Sequence, residues 1–383
     1  MTVTGPKGFL ASGVAAGLKP SGRPDVSIIR NTGPSYAAAC VFTSNRCKAN
    51  PVLWSEQAVS DGEIRAVVTN SGGANCYTGS RGFQTTHATA ERVAELLEVS
   101  AGDVLVCSTG LIGELIDEPK LFAGVDAAAA RLSPDGGMAA AEAIMTTDTV
   151  SKTAYHAGEG WSIGGMAKGA GMLAPALATM LVYLTTDAEL SPADLDTALR
   201  HATAHSFDRI DSDGCQSTND TVVLLASGAS GITPDLAEFT GALTDLCLHL
   251  ALQLIRDAEG ASHDIAITTV NAASESDALE VGRSVARSNL FKCAIFGNDP
   301  NWGRILAAVG TTSAQFDPAQ IDVSMNDVMI CRDGEPGEDR TLVDMTAREV
   351  NILIDLKSGD SAATLWTNDL TTDYVHENSA YST

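Results

Sequence analysis

The chain has 383 residues, 44% apolar and 19% charged, a globular composition long enough for two packed domains or one large composite one. Its 48 acidic against 24 basic side chains give a formal net charge of −24, a field that repels phosphate backbones and anionic lipid and argues against nucleic-acid or membrane partners. No run approaches the roughly 18–20 apolar residues of a membrane span, residues 1–8 carry no secretory pattern, and the eight cysteines include no C-x-x-C pair, so the expected location is a reducing cytoplasm.

Taken in chain order, the first clear β-rich run is 66–69. Ala90, Val93, Ala94 and Leu97 then recur at i, i+3, i+4 and i+7, the signature of an amphipathic helix, and a second strand-like run follows at 104–107. A third run, 180–184, precedes a helix that opens with Ser191 as cap, Pro192 in the first turn and Asp194 three residues after the cap. Residues 221–225 read as a strand. The longest helix is expected from about 235 to 258, with Leu243, Leu246, Cys247, Leu250 and Leu254 on one face. Further strand-like runs lie at 264–270, 323–330 and 351–356. The texture changes after about Asn271, where Ala-Ser-Glu-Ser leads into a polar segment. A smaller C-terminal subdomain over about 272–365 is expected. The fold class is α/β (α+β), with layered sheets covered by helices.

Several familiar motifs fail on inspection. His201 and His205 have the i, i+4 spacing of a metal pair, but Ala202 stands where a zincin has glutamate, and a solvated helix face is the better reading. Gly169-Ala170-Gly171 begins like a dinucleotide fingerprint yet lacks the third glycine, and Pro175 would disrupt the helix that must follow. No P-loop, G-x-S-x-G or S-x-x-K occurs. No metal and no cofactor are expected.

The centre of the chain, residues 164–184, is more informative. Glycines and small residues precede Ala178, and an apolar run opens with Thr179. Such a segment allows tight backbone conformations. It suits self-cleavage, in which the Thr179 hydroxyl attacks the carbonyl of Ala178, the acyl group shifts from nitrogen to oxygen, and water releases the ester. The freed α-amino group, with a reference pKa of about 7.7–8.0, could then accept the hydroxyl proton without any histidine. Read alone, the same segment is equally a Gly-rich loop feeding an ordinary core strand.

The wording of the whole chain goes further. Lys168 to Leu181 match the motif K-G-x-G-M-x-x-P-x-x-A-T-M-L, and the segments 70–75, 108–113, 144–149, 299–304 and 378–383 match in order along nearly the full length. On these residues the chain closely resembles the ornithine acetyltransferase, or glutamate N-acetyltransferase, family, whose fold is shared with self-cleaving aminopeptidases. The resemblance implies cleavage into chains 1–178 and 179–383 that stay together as a dimer of two-chain units. It implies acetyl transfer from N-acetylornithine to glutamate through acetyl-Thr179, with a second activity from acetyl-CoA in some members. Thr109 and Gly110 match the oxyanion hole. Thr147, Lys168, Glu259, Asn378 and Thr383 match substrate-binding positions, and Glu259 is also expected to assist proton transfer. The chain departs from the family at Ala174, Ala258 and His263, which stand where many members have histidine or glutamate, glycine, and lysine. The rival expectations are an amino-terminal-nucleophile amidohydrolase or aminopeptidase, and a non-catalytic amino-acid-binding homologue.

Overall fold

The computed structural model describes residues 1–174 and 180–380. Among these residues the strands form three sheets. The first has the order Phe9–Val14, Val26–Asn31, Ala66–Asn70, Val104–Ser108, antiparallel except for its last, parallel pair. The second is central, with the order Ala38–Phe42, Thr221–Ala226, Leu181–Thr186, Ser162–Lys168, Lys152–Ala157.

Side-chain alternation stacks these two sheets face to face. Val68, Val104 and Val106 point outward onto Ala90, Val93, Leu97, Leu121 and Val125 of the helices Gly79–Leu97 and Glu118–Ala129. Their neighbours Val67, Leu105 and Cys107 point inward onto Cys40, Met166, Leu181, Tyr183 and Val223 of the central sheet. The other face of that sheet, through Val182, Leu184, Val222 and Leu224, packs on Leu195, Leu199, Leu243 and Leu250 of the helices Pro192–Ala204 and Leu236–Arg256. The result is four layers, helix–sheet–sheet–helix. Strands covered on both faces need apolar residues at every position, which is why 66–69, 104–107 and 221–225 stand out in the sequence.

The helix starts follow their caps. Ser191 accepts from the Asp194 N–H at 3.2 Å, and Asp235 accepts from Ala237 and Glu238 N–H groups at 3.0 Å each. The strand Ser162–Lys168, by contrast, carries no β-rich signal. Gly164 and Gly165 lie inside it rather than in a tight turn. A Cβ at Gly164 would sit 2.2 Å from the Thr2 carbonyl oxygen, and one at Gly165 3.0 Å from a Leu250 methyl. Close packing on both faces, not backbone strain, selects glycine there.

The third sheet has the order Glu335–Pro336, Val328–Arg332, Asp322–Met325, Glu349–Asp355, Asp264–Ala272, Ser361–Asn368. With the helices Glu275–Ala286, Asn289–Phe296 and Trp302–Val309 it encloses a core of its own. Two expectations are corrected here. The run 323–330 is a hairpin of two strands, because Asn326 and Asp327 both take positive φ (46° and 68°), the pattern of a two-residue turn. The polar segment after Asn271 is a helix. Ser274 caps it by accepting from the Asp277 N–H, and Ala278, Val281 and Val285 are buried beneath its charged outer face.

Buried polar contacts cross between the two stacked sheets: Tyr183 Oη pairs with Thr69 Oγ1 at 2.6 Å, and the Asn31 side-chain amide donates to the Ala226 carbonyl at 3.1 Å. Tyr183→Phe strands the Thr69 hydroxyl, so a lower urea midpoint corresponding to about 1–3 kcal/mol is expected.

Candidate active site

The sheet architecture brings several strand ends to one place. Val104–Ser108 runs parallel to Ala66–Asn70, so Thr109 emerges beside Asn70. The Thr109 N–H donates to the Asn70 carbonyl at 3.0 Å, and the Gly73 N–H donates to the Thr109 carbonyl at 3.0 Å. Gly110 follows at φ 129°, and a Cβ there would lie 2.8 Å from the Gly73 nitrogen, so only glycine fits. Asn219 ties the turn down by donating to the carbonyls of Ala74 and Ser108 at 2.6 and 2.8 Å.

Lys168 closes the strand Ser162–Lys168, paired with Leu181 across the sheet. It is 1% exposed, and its ammonium donates to Thr109 Oγ1 at 3.2 Å. Burial pushes this ammonium below its ordinary range; Asp148 pulls it back and Lys152 opposes, the net being downward. Because Thr109 Oγ1 accepts from Lys168, its own proton is free to be donated. The Gly110 N–H donates to no described residue. A hydroxyl and an amide N–H are therefore available together, as oxyanion stabilisation requires.

Glu259 arrives from the other side, just beyond the helix Leu236–Arg256. Its N–H donates to the Ala170 carbonyl at 2.9 Å. A Cβ on Gly171 would fall 2.6 Å from the Glu259 carboxylate, and one on Gly260 2.2 Å from the Tyr374 nitrogen. These two glycines admit the carboxylate on one side and the terminal helix Thr372–Ala380 on the other. Asn378 of that helix donates to Glu259 Oε2 at 3.0 Å.

A cavity of about 170 Å³ is lined by Thr109, Gly110, Thr147, Lys168, Glu259 and Asn378, all six sequence candidates that fall within the described residues. Thr146 lines it too, beside Thr147. Ala178, Thr179 and Thr383, the remaining candidates, lie outside the described residues.

Groups that no motif singled out hold this cavity in shape. Lys152 is fully buried, and its ammonium donates to Asp148 Oδ1 at 2.7 Å and Asp257 Oδ2 at 2.6 Å. Asp148 also accepts from the N–H groups of Gly169 (2.7 Å) and Thr146 (2.9 Å), while Asp257 accepts from the Thr149 N–H at 3.0 Å. Burial works to raise the Asp148 carboxyl, but Lys168, Lys152 and these donors outweigh it and hold it at about 2. Asp220 is a second missed group. It is fully buried and accepts from the Met180 N–H at 3.0 Å. Its Oδ2 has no partner among the described residues, and burial pushes its carboxyl well above the usual range. Lys152 stands in the mixed run Thr149-Val150-Ser151-Lys152-Thr153-Ala154, which carries no signal that could have flagged it. Of the departures from the family pattern, Ala174 and Ala258 are buried, and His263 Nδ1 pairs with Asp369 at 2.8 Å.

The chain matches the ArgJ family over residues 10–383. It is 62% identical over 382 residues to an arginine biosynthesis bifunctional protein ArgJ of Streptomyces coelicolor, covering 100% of both chains. This chain belongs to the ArgJ family. The protein of the same name from Thermobifida fusca is 61% identical over 383 residues, again covering 100% of both. The crystal structure of ornithine acetyltransferase complexed with ornithine from Mycobacterium tuberculosis is 52% identical, with a TM-score of 0.45, over 47% of this chain and 96% of that one.

Asp148 has a folded pKa of about 2, below its unfolded value of about 3.9, so it stabilises the fold above that value and loses the contribution as pH falls through about 2. The stability gap between the wild type and Asp148→Asn, measured by denaturant titration, should be full above about pH 4 and shrink towards about pH 2. Gly171→Ala should fold but displace Glu259, and a larger effect on substrate KM than on thermal midpoint is expected.

Proposed function

We propose that this chain transfers the acetyl group of N-acetylornithine to glutamate, giving ornithine and N-acetylglutamate in arginine biosynthesis. The observation that carries this reading is the convergence of Thr109, Gly110, Thr147, Lys168, Glu259 and Asn378 on one cavity. Membership of the ArgJ family makes the chain an arginine-biosynthesis enzyme and agrees with that chemistry.

The chain cleaves itself between Ala178 and Thr179, and chains 1–178 and 179–383 remain together, paired into a dimer of two-chain units in the cytoplasm. The freed α-amine of Thr179 takes the proton from its own hydroxyl. The oxygen attacks the acetyl carbonyl, and the oxyanion receives hydrogen bonds from the Thr109 hydroxyl and the Gly110 N–H. Collapse breaks the amide bond, the α-ammonium returns its proton to the leaving nitrogen, and ornithine departs from acetyl-Thr179. The amine of glutamate then attacks the ester and regenerates the threonine. The Lys168 ammonium is placed to hold a substrate α-carboxylate. Glu259, steadied by Asn378, is placed to receive a substrate amine and assist proton transfer; Thr147 and Thr383 complete the contacts. No cofactor enters any step.

Intact mass and amino-terminal sequencing test the cleavage, with a second chain beginning Thr-Met-Leu expected in the wild type and an unbroken chain in Thr179→Ala. Thr109→Ala should lower kcat by about a hundredfold or more, the usual effect of removing one oxyanion donor. Ornithine release from N-acetylornithine should accelerate when glutamate is added. Release that is indifferent to glutamate would instead describe an amidohydrolase.

A further inference from the structure

A second cavity, of about 510 Å³, adjoins the first. Lys19, Ser21 and Arg23 form one wall, and Glu142, Met145, Thr146 and Thr149 form another, so the lining carries two cations and one acid, Glu142, which is ion-paired with neither. Thr146 lines both cavities, so the two spaces share a wall. Lys19 and Lys168 are near enough to act on each other electrostatically.

The neighbouring space has a net positive lining in a chain with twice as many acids as bases. The arginines of other cavities are ion-paired. Arg256 and Arg348, beside a third cavity that also meets Glu259, are paired with Asp264, and Arg256 also with Glu349. Among the described residues, neither Lys19 nor Arg23 has a carboxylate within ion-pair distance. The Lys19 ammonium donates only to the carbonyls of Pro24 (2.8 Å) and Met145 (2.6 Å), which leaves one N–H unused. Asp25, the acid whose charge acts most on Lys19, is occupied by the N–H groups of Ala16, Leu18 and Lys19. Burial pushes the Lys19 ammonium down to about 8, with Asp25 offsetting part of this. A half-buried lysine held by neutral carbonyls beside an unpaired arginine is an arrangement that an anion would complete.

We propose that this cavity is the subsite for the side-chain carboxylate of the acyl acceptor, with Lys19 and Arg23 as its cationic ligands. The proposal rests on the transferase reading and adds to it the means of acceptor choice. Donor and acceptor share an α-amino acid end, which Lys168 and Glu259 can treat alike. They differ at the far end, where glutamate carries a carboxylate and ornithine an ammonium. A cationic subsite one wall away from Lys168 attracts the first and repels the second.

The test compares glutamate with glutamine, its neutral isostere, as acceptor in the second half-reaction. Wild type should show a higher kcat/KM for glutamate. In Lys19→Met/Arg23→Gln the glutamate-to-glutamine ratio should fall by about tenfold or more, and in Arg23→Gln alone by about fivefold, as expected for partly solvated charge contacts. Arg23→Lys should keep the ratio near its wild-type value. Transfer to glutamine shows that a variant is folded; if the double variant is not, the Arg23→Gln ratio decides. A ratio within about twofold of wild type in the decisive variant overturns the subsite. Failure of the wild type to acetylate either acceptor is a different result and overturns the transferase reading itself.

Discussion

The geometry of the candidate site depends on one buried ammonium. Lys152, on the edge strand of the central sheet, joins Asp148, four residues away, to Asp257, which lies 105 residues further along the chain. Removing these charges from water carries a large desolvation cost, offset only because both carboxylates are also satisfied by backbone N–H groups. What the arrangement secures is position. It fixes the Thr146–Thr149 segment against the end of the long helix, and so sets Thr147 opposite Glu259. It also leaves Asp148 ionised beside Lys168, giving that lysine a counter-charge without a direct ion pair, so its ammonium is free to reach Thr109.

The stacked sheets supply the rest of the frame. Thr109 follows one of two parallel strand ends of the first sheet, and Lys168 ends a strand of the second. The inter-sheet packing of Leu105 and Cys107 against Met166, Leu181 and Tyr183 brings the two ends together. Glycine at 110, 171 and 260 then lets backbone and carboxylate approach to distances no side chain would allow. One fully buried acid, Asp220, meets the chain at Met180. There Asp220 holds the Met180 N–H in a setting poor in water, where each unshared charge or lone pair acts strongly.

The elements legible in the sequence are those with simple burial. Strands covered on both faces show as apolar runs, and helices with one buried face show as i, i+3, i+4 patterns with recognisable caps. The strand Ser162–Lys168 was hidden because Gly164 and Gly165 interrupt its β signal, chosen by the closeness of Thr2 and Leu250 rather than by β propensity. The helix Glu275–Ala286 was hidden by its own charged face. In the site, Thr109, Gly110, Thr147, Lys168, Glu259 and Asn378 could be nominated only by their match to family motifs. Each taken alone is a turn residue, a strand end or a helix end.

The sequence by itself determined the layered α/β class, the long helices with their capping residues, the apolar runs of the doubly covered strands and the membership of the chain in its family, because these depend on local spacing and wording along one stretch of chain. Tertiary structure alone decided that residues from 109 to 378 surround a single cavity, that Lys152 ties Asp148 to Asp257, and that Lys19 and Arg23 line the neighbouring space without forming an ion pair there. Those facts depend on electrostatics and close packing between segments a hundred or more residues apart, and no periodicity along the chain encodes such distances.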